Sequence, residues 1–260
     1  MKYLKVKKEN FLLILLLIFF ELNAFAQNEA LFKKGNDAYN EGDFVTAADQ
    51  YLAILEKGTH SAELYFNLGN AYYKLNQIAP SIYYYEKALV LKPNDSEIIN
   101  NLAYAQNMTL DAIETLPTTG LKNLYKQFTE ILNYDQWAKI AVLFMILFVL
   151  LYIAFYFFSY STRKRIAFIS SLIALVCSVL AVVFAYIEFD DFNKNNPAIV
   201  FVKESQVKTE PNDRSQQAFI LHEGTKVNVI GSLDDWQEIK LSDGQTGWIS
   251  SENIKLIKDF

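Results

Sequence analysis

The sequence predicts a multi-domain membrane protein: an all-α repeat solenoid, a two-helix transmembrane hairpin and a small all-β barrel. Three observations carry that expectation. Gly35, Gly42, Ala47 and Tyr51 recur 34 residues later as Gly69, Asn76, Ser81 and Tyr85, and self-similarity at such a period marks stacked structural repeats. Two 22-residue apolar runs, 137–158 and 166–187, each have the length a helix needs to cross a bilayer. The C-terminal stretch 198–260 is rich in Val, Ile and Thr, with apolar and polar residues alternating between closely spaced turn signals.

In chain order, residues 1–26 carry Lys2, Lys5, Lys7 and Lys8, then the apolar run 11–20 and the small-residue site Ala24-Phe25-Ala26. This is the pattern of a secretory signal peptide cleaved after Ala26. Glu21 holds the apolar run to about half of the ~20 residues that a spanning helix needs. Residues 27–116 are expected to hold the repeats, as copies at 28–61 and 62–95 and a partial copy at 96–116. The second copy carries Tyr65, Leu68, Gly69, Tyr72, Ser81, Tyr85, Ala88 and Pro93, and so resembles the tetratricopeptide repeat. Two antiparallel helices that touch closely need small residues (Gly69, Ser81, Ala88) where aromatic rings fill the gap. Pro80 falls in the first turn of the second helix, where its missing N–H costs no intrahelical bond. In the third copy Leu102 and Ala103 take the Leu68-Gly69 positions, and the pattern stops after Met108, as for a capping helix.

Residues 117–136 are read as a hinge, Pro117 to Gly120, followed by an amphipathic helix with Leu121, Leu124, Phe128, Ile131 and Leu132 on one face. That face suits either the membrane surface or the repeat domain. Between the two spans, 159–165 carries Arg163, Lys164 and Arg165, which makes it a cytoplasmic turn and places both flanking domains in the periplasm of a two-pass inner-membrane protein. Ala167, Ser171, Ala174, Ser178, Ala181 and Ala185 form a small-residue stripe on the second span, suited to close approach of the first span or of a partner. A linker is expected at 188–197. Residues 27–136 carry 8 basic and 14 acidic side chains, and 188–260 carry 8 and 13. Acidic exported segments exclude nucleic acid as a partner.

In 198–260, Glu223-Gly224-Thr225-Lys226-Val227, Trp236-Gln237-Glu238-Ile239 and the hairpin from Asp243-Gly244 to Gly247-Trp248-Ile249 resemble the recurring strands of a bacterial SH3-like domain. No chemistry is visible anywhere. The one cysteine, Cys177, lies in the second span, and His60 and His222 are far apart and expected in solvated loops. Neither a metal-ligand spacing, a phosphate loop nor a nucleophile elbow occurs, so neither enzyme activity nor a cofactor or metal is expected.

The order of signal peptide, external repeats, two spans and external SH3-like domain resembles the BatE-like family of the Bacteroides aerotolerance (Bat) operon. The resemblance implies a membrane-bound partner of other Bat proteins, including ones with von Willebrand A-type domains, in a complex linked to oxidative stress tolerance. Tetratricopeptide arrays bind peptides on the concave face of their first helices. By register that face is Glu29, Phe32, Asn36 and Tyr39 in the first copy, Glu63, Phe66, Asn70 and Tyr73 in the second, and Asn100 and Tyr104 in the third. Phe32 and Phe66 stand where a carboxylate clamp would need lysines, so a peptide or helix with apolar anchors is the expected ligand. Two function classes follow. One is a membrane scaffold whose repeats and SH3-like domain bind proteins on the same side. The other is an envelope anchor or sensor whose SH3-like domain binds peptidoglycan peptide through Trp236 and Trp248.

Overall fold

The computed structural model describes residues 27–113, 129 and 131–259; the expected signal peptide and most of the expected hinge and amphipathic helix lie outside them. Five helices form the repeat region: α1 (27–41), α2 (Phe44–Leu55), α3 (Ala62–Lys74), α4 (Ile78–Leu91) and α5 (Ser96–Gln106). Three of them, α2, α3 and α5, start at side-chain caps, with Asp43, Ser61 and Asp95 accepting from the first-turn amides of Thr46, Leu64 and Ile98. Each full copy turns between its helices through one left-handed residue, Gly42 at φ 86° and Asn76 at φ 57°. Asn tolerates that region better than other non-glycine residues. The helices of a copy close on a glycine, since the Tyr51 ring lies on Gly35 and a Cβ added to Gly69 would lie 2.5 Å from Tyr85 Cδ1. Ser81 Oγ ties the same pair by donating to Gly69 O at 2.9 Å.

Two long helices follow, α6 (Tyr134–Phe157) and α7 (Ser161–Lys194), both long and apolar enough to cross a membrane. Asn133 and Gln136 open α6 with a reciprocal capping box. The small-residue stripe packs on α6: Ala167, Ser171, Ala174, Ser178 and Ala181 are the buried residues of α7, and Ser178 Oγ donates to Ala141 O at 2.9 Å. Three boundaries differ from the sequence reading. The first long helix begins at Tyr134, inside the expected 117–136 segment. The turn between the helices is shorter than 159–165, because α7 begins at Ser161. The expected linker 188–197 is helix as far as Lys194. Nothing in it breaks a helix before Pro197, an Asp190–Lys194 pair at 2.5 Å supports the last turns, and Lys258 Nζ donates to the terminal carbonyls of Phe192 and Asn195.

The C-terminal β domain is one antiparallel sheet. Its strands are β1 (Asn196–Val200), β2 (Glu204–Lys208), β3 (Gln217–His222), β4 (Lys226–Leu233), β5 (Trp236–Lys240), β6 (Thr246–Ser250) and β7 (Ile254–Leu256), in the order β3-β2-β6-β5-β4-β1-β7. Alternate residues face one core built around Val200, Val207, Leu221, Val227, Ile239 and Ile249.

The repeats and the β domain share a second core. Ile199 and Ile257 are fully buried among Tyr65, Ile82, Tyr83 and Tyr85, and Phe201 meets the Tyr83 ring edge-on at 5.4 Å. Charged groups rim this contact. Asp259 accepts from Lys87 Nζ and from Tyr83 Oη, and Glu86 accepts from Lys226 Nζ at 2.7 Å. Gly224, at φ +86°, presses so close to α4 that a Cβ there would lie 3.0 Å from Ile78 and Ile82.

Candidate functional site

The first-helix face of the repeats carries a hydrogen-bonded grid that repeats with the fold. Asn36 Oδ1 accepts from Tyr51 Oη at 2.7 Å and from Asn67 Nδ2 at 3.1 Å. One copy on, Asn70 Oδ1 accepts from Tyr85 Oη at 2.6 Å and from Asn101 Nδ2 at 2.9 Å. Burial raises the Tyr51 hydroxyl to about 12 and pushes Tyr85 above its usual range, so both stay protonated donors. With Oδ1 of each asparagine taken twice, the amide orientation is fixed and Nδ2 is the group left for a ligand carbonyl.

Two adjoining hollows open on this grid. One of about 330 Å³ is lined by Asn36, Tyr39, Asn40, Tyr51, Asn67 and Asn70. The next, of about 260 Å³, is lined by Tyr39, Asn70, Tyr73, Lys74, Tyr85, Asn101 and Tyr104. Of the residues assigned to the face by register, the structure therefore brings Asn36, Tyr39, Asn70, Tyr73 and Tyr104 together. Phe32 and Phe66 lie beside them against the rings of Tyr51 and Tyr85, at 5.7 and 5.9 Å. Glu63 is exposed and paired with Lys92, and Glu29 and Asn100 are exposed and line neither hollow. Asn67 and Asn101 escaped the register reading. Their signal was available, since they are themselves 34 residues apart.

On the β domain, Trp236 pairs with Ser250 and Glu238 with Trp248 across β5 and β6. Residues paired across strands point to one face, so the two tryptophans are diagonal neighbours opposite the core-facing Ile239 and Ile249. Both are half-buried.

His222 is not in a solvated loop. Its backbone N–H and its Nδ1 both donate to the Asp111 carboxylate at 2.7 Å, and Thr225 Oγ1 donates to the same group at 2.6 Å. Burial would raise Asp111, but the Thr225 hydroxyl and both His222 donors hold it below the usual carboxylate range. A cleft of about 740 Å³ lies where the end of α4, the start of α6 and the end of α7 meet the β domain. Two of its charged groups, Glu86 and Lys226, are paired with each other. Among the described residues no group of three His, Cys, Asp or Glu is placed to hold a metal ion.

Comparison with known families agrees with both domain motifs. A family model described as tetratricopeptide repeat matches residues 62–95, and one described as bacterial SH3 domain matches residues 204–255. No curated protein matches the chain.

Proposed function

We propose that this chain is a non-enzymatic, membrane-anchored scaffold that binds partner proteins on the periplasmic side, within a Bat-type envelope complex linked to oxidative stress tolerance. The observation that carries the reading is the asparagine grid of the repeats. Asn36 and Asn70 present equivalent amide donors in adjacent copies, and ordered donors of this kind suit the main-chain carbonyls of an extended segment. Tyr39, Tyr73 and Tyr104 beside them supply apolar contact. The membrane anchor is supported by α6 and α7, on which Leu143, Leu150, Phe157 and Ile173 are 58–82% exposed. A water-soluble monomer rarely exposes apolar surface on that scale. Partners of Bat type, including those with von Willebrand A-type domains, rest on the order of domains alone.

A second reading is favoured by Trp236 and Trp248 lying together on the face away from the core. There they form an aromatic platform of the kind that holds a peptidoglycan peptide, which would make the protein an envelope anchor.

Lys74 and Tyr104 separate the two readings, because both are exposed and line the hollow without supporting the fold. The double change Lys74→Ala and Tyr104→Ala in the full-length, detergent-solubilised protein should leave the melting temperature unchanged and reduce co-purified envelope proteins at least tenfold. If the partners are retained and murein binding disappears with Trp236→Ala and Trp248→Ala, the anchor reading replaces the scaffold.

A further inference from the structure

The segment that leaves α5 does not run free. Residues 110–113 lie along β3, an edge strand of the sheet, with a hollow of about 280 Å³ between them and Phe219, Leu221, Leu241, Asp243 and Gln245. Two side chains of the segment are seated on the β domain. The Asp111 carboxylate is 14% exposed and receives three donors from His222 and Thr225. Ile113, two residues on, packs against the β-domain core and lines the same hollow as Phe219.

The receiving side is built for this arrangement. Thr225 is buried, 5% exposed, and sits after Gly224, whose left-handed backbone and missing Cβ let Thr109 approach. A buried hydroxyl, a main-chain N–H and an imidazole converging on one point form a carboxylate receptor. An apolar seat two residues further along adds selectivity for an extended segment, whose alternate side chains point the same way. Neither Asp111 nor Ile113 supports the repeat helices, since α5 ends at Gln106.

We propose that His222, Thr225 and the apolar seat beside Phe219 form a peptide-recognition site for an Asp-x-aliphatic motif. In the resting protein the site is filled by the chain's own Asp111-Ala112-Ile113, and a partner protein's segment of the same chemistry takes it when that segment is displaced. The site is separate from the repeat face. It lies on another domain and takes another ligand class, so it stands or falls independently of the asparagine grid.

The probe is a labelled synthetic peptide with the sequence of residues 107–113, added to the full-length protein in detergent and followed by fluorescence anisotropy. Asp111→Ala with Ile113→Ala vacates the site, and this variant is expected to bind the peptide at least tenfold tighter than the unaltered chain. Adding Thr225→Val, or replacing the aspartate of the peptide by alanine, should abolish the gain. Tryptophan fluorescence and melting confirm that the variant is folded; if it is not, Asp111→Asn removes the charge that holds the segment while keeping side-chain shape, and a smaller gain in peptide binding is expected. Equal binding by the unaltered and vacated proteins, or none by a folded vacated protein, overturns the proposal. It is also overturned if the vacated protein dimerises instead, with Thr225→Val reversing the dimer, because the site then belongs to a second copy.

Discussion

At the scale of single residues, Gly69 shows how contact outweighs propensity. Glycine to alanine inside a helix ordinarily stabilises by about 0.4–1 kcal/mol. Here the new methyl would meet the Tyr85 ring at 2.5 Å, and Tyr85 is fully buried, so overpacking of about 1–3 kcal/mol decides the sign. Gly69→Ala should therefore lower the melting temperature of the full-length protein, while Gly58→Ala, at a left-handed turn open to solvent, should cost less. A Gly69→Ala protein as stable as the original would remove the close contact from the account. This pairing of glycine and tyrosine was legible from the shared register. Asp111 and His222 were not, because a carboxylate and an imidazole 111 residues apart follow no period, and each alone reads as a solvated polar residue.

At the scale of elements, the strands of the β domain showed in the alternation of Lys226–Ile230 and Gln237–Leu241, and the long helices showed in their apolar runs. The reach of α7 past its apolar part did not. Glu188, Asp190, Asp191 and Asn195 look like a linker, and the tertiary contact from Lys258 adds to the local Asp190–Lys194 pair in holding the helix to its end. The Lys258 ammonium stands 3.5 Å from the Phe192 ring centre and bonds the last carbonyls, although burial, with Lys226 nearby, lowers it to about 8. Hydrogen bonds from a charged donor are worth about 1.5–3 kcal/mol. Lys258→Ala should thus fray the last turn of α7, seen as amide exchange at 191–195 at least tenfold faster. Unchanged exchange would mean that the helix holds its own end.

At the scale of the whole molecule, two carboxylates held by the domain contact fix a pH window: Asp259 at the rim of the docked repeats and Asp111 in the segment after α5. Burial works against ionised Asp111 and Asp259, yet hydrogen bonds from Thr225 and His222, and from Lys87 and Tyr83, hold both below the usual carboxylate range. Their folded values lie under the unfolded value of about 3.9. The stabilisation is therefore complete above that value and is lost as pH falls through the lower, folded ones. Exchange at the docked strands β1 and β3 should be steady from pH 7 to about 5 and accelerate below about 4; a flat profile to pH 3 would leave the docking to Ile199 and Ile257 alone. The topology has its own measurement. With Cys177→Ser as background, cysteines replacing Asn40 or Asp213 should react with a membrane-impermeant thiol reagent in outer-membrane-permeabilised cells, and one replacing Ser161 should not. Little of the docking was legible in the sequence, since Lys87, Glu86, Lys226 and Asp259 are charged residues that pattern alone assigns to solvent. The passage from α7 to β1 takes a single residue, Asn195, so nothing soft separates a rod of about 50 Å, at roughly 1.5 Å per residue, from the body it carries. A change of about 10° in the tilt of that rod, the kind of adjustment helices make to bilayers of different thickness, would swing its far end through roughly 9 Å. For a membrane-anchored chain the repeats would turn with it, and the height at which they stand would then be a property of the surrounding lipid as well as of the chain.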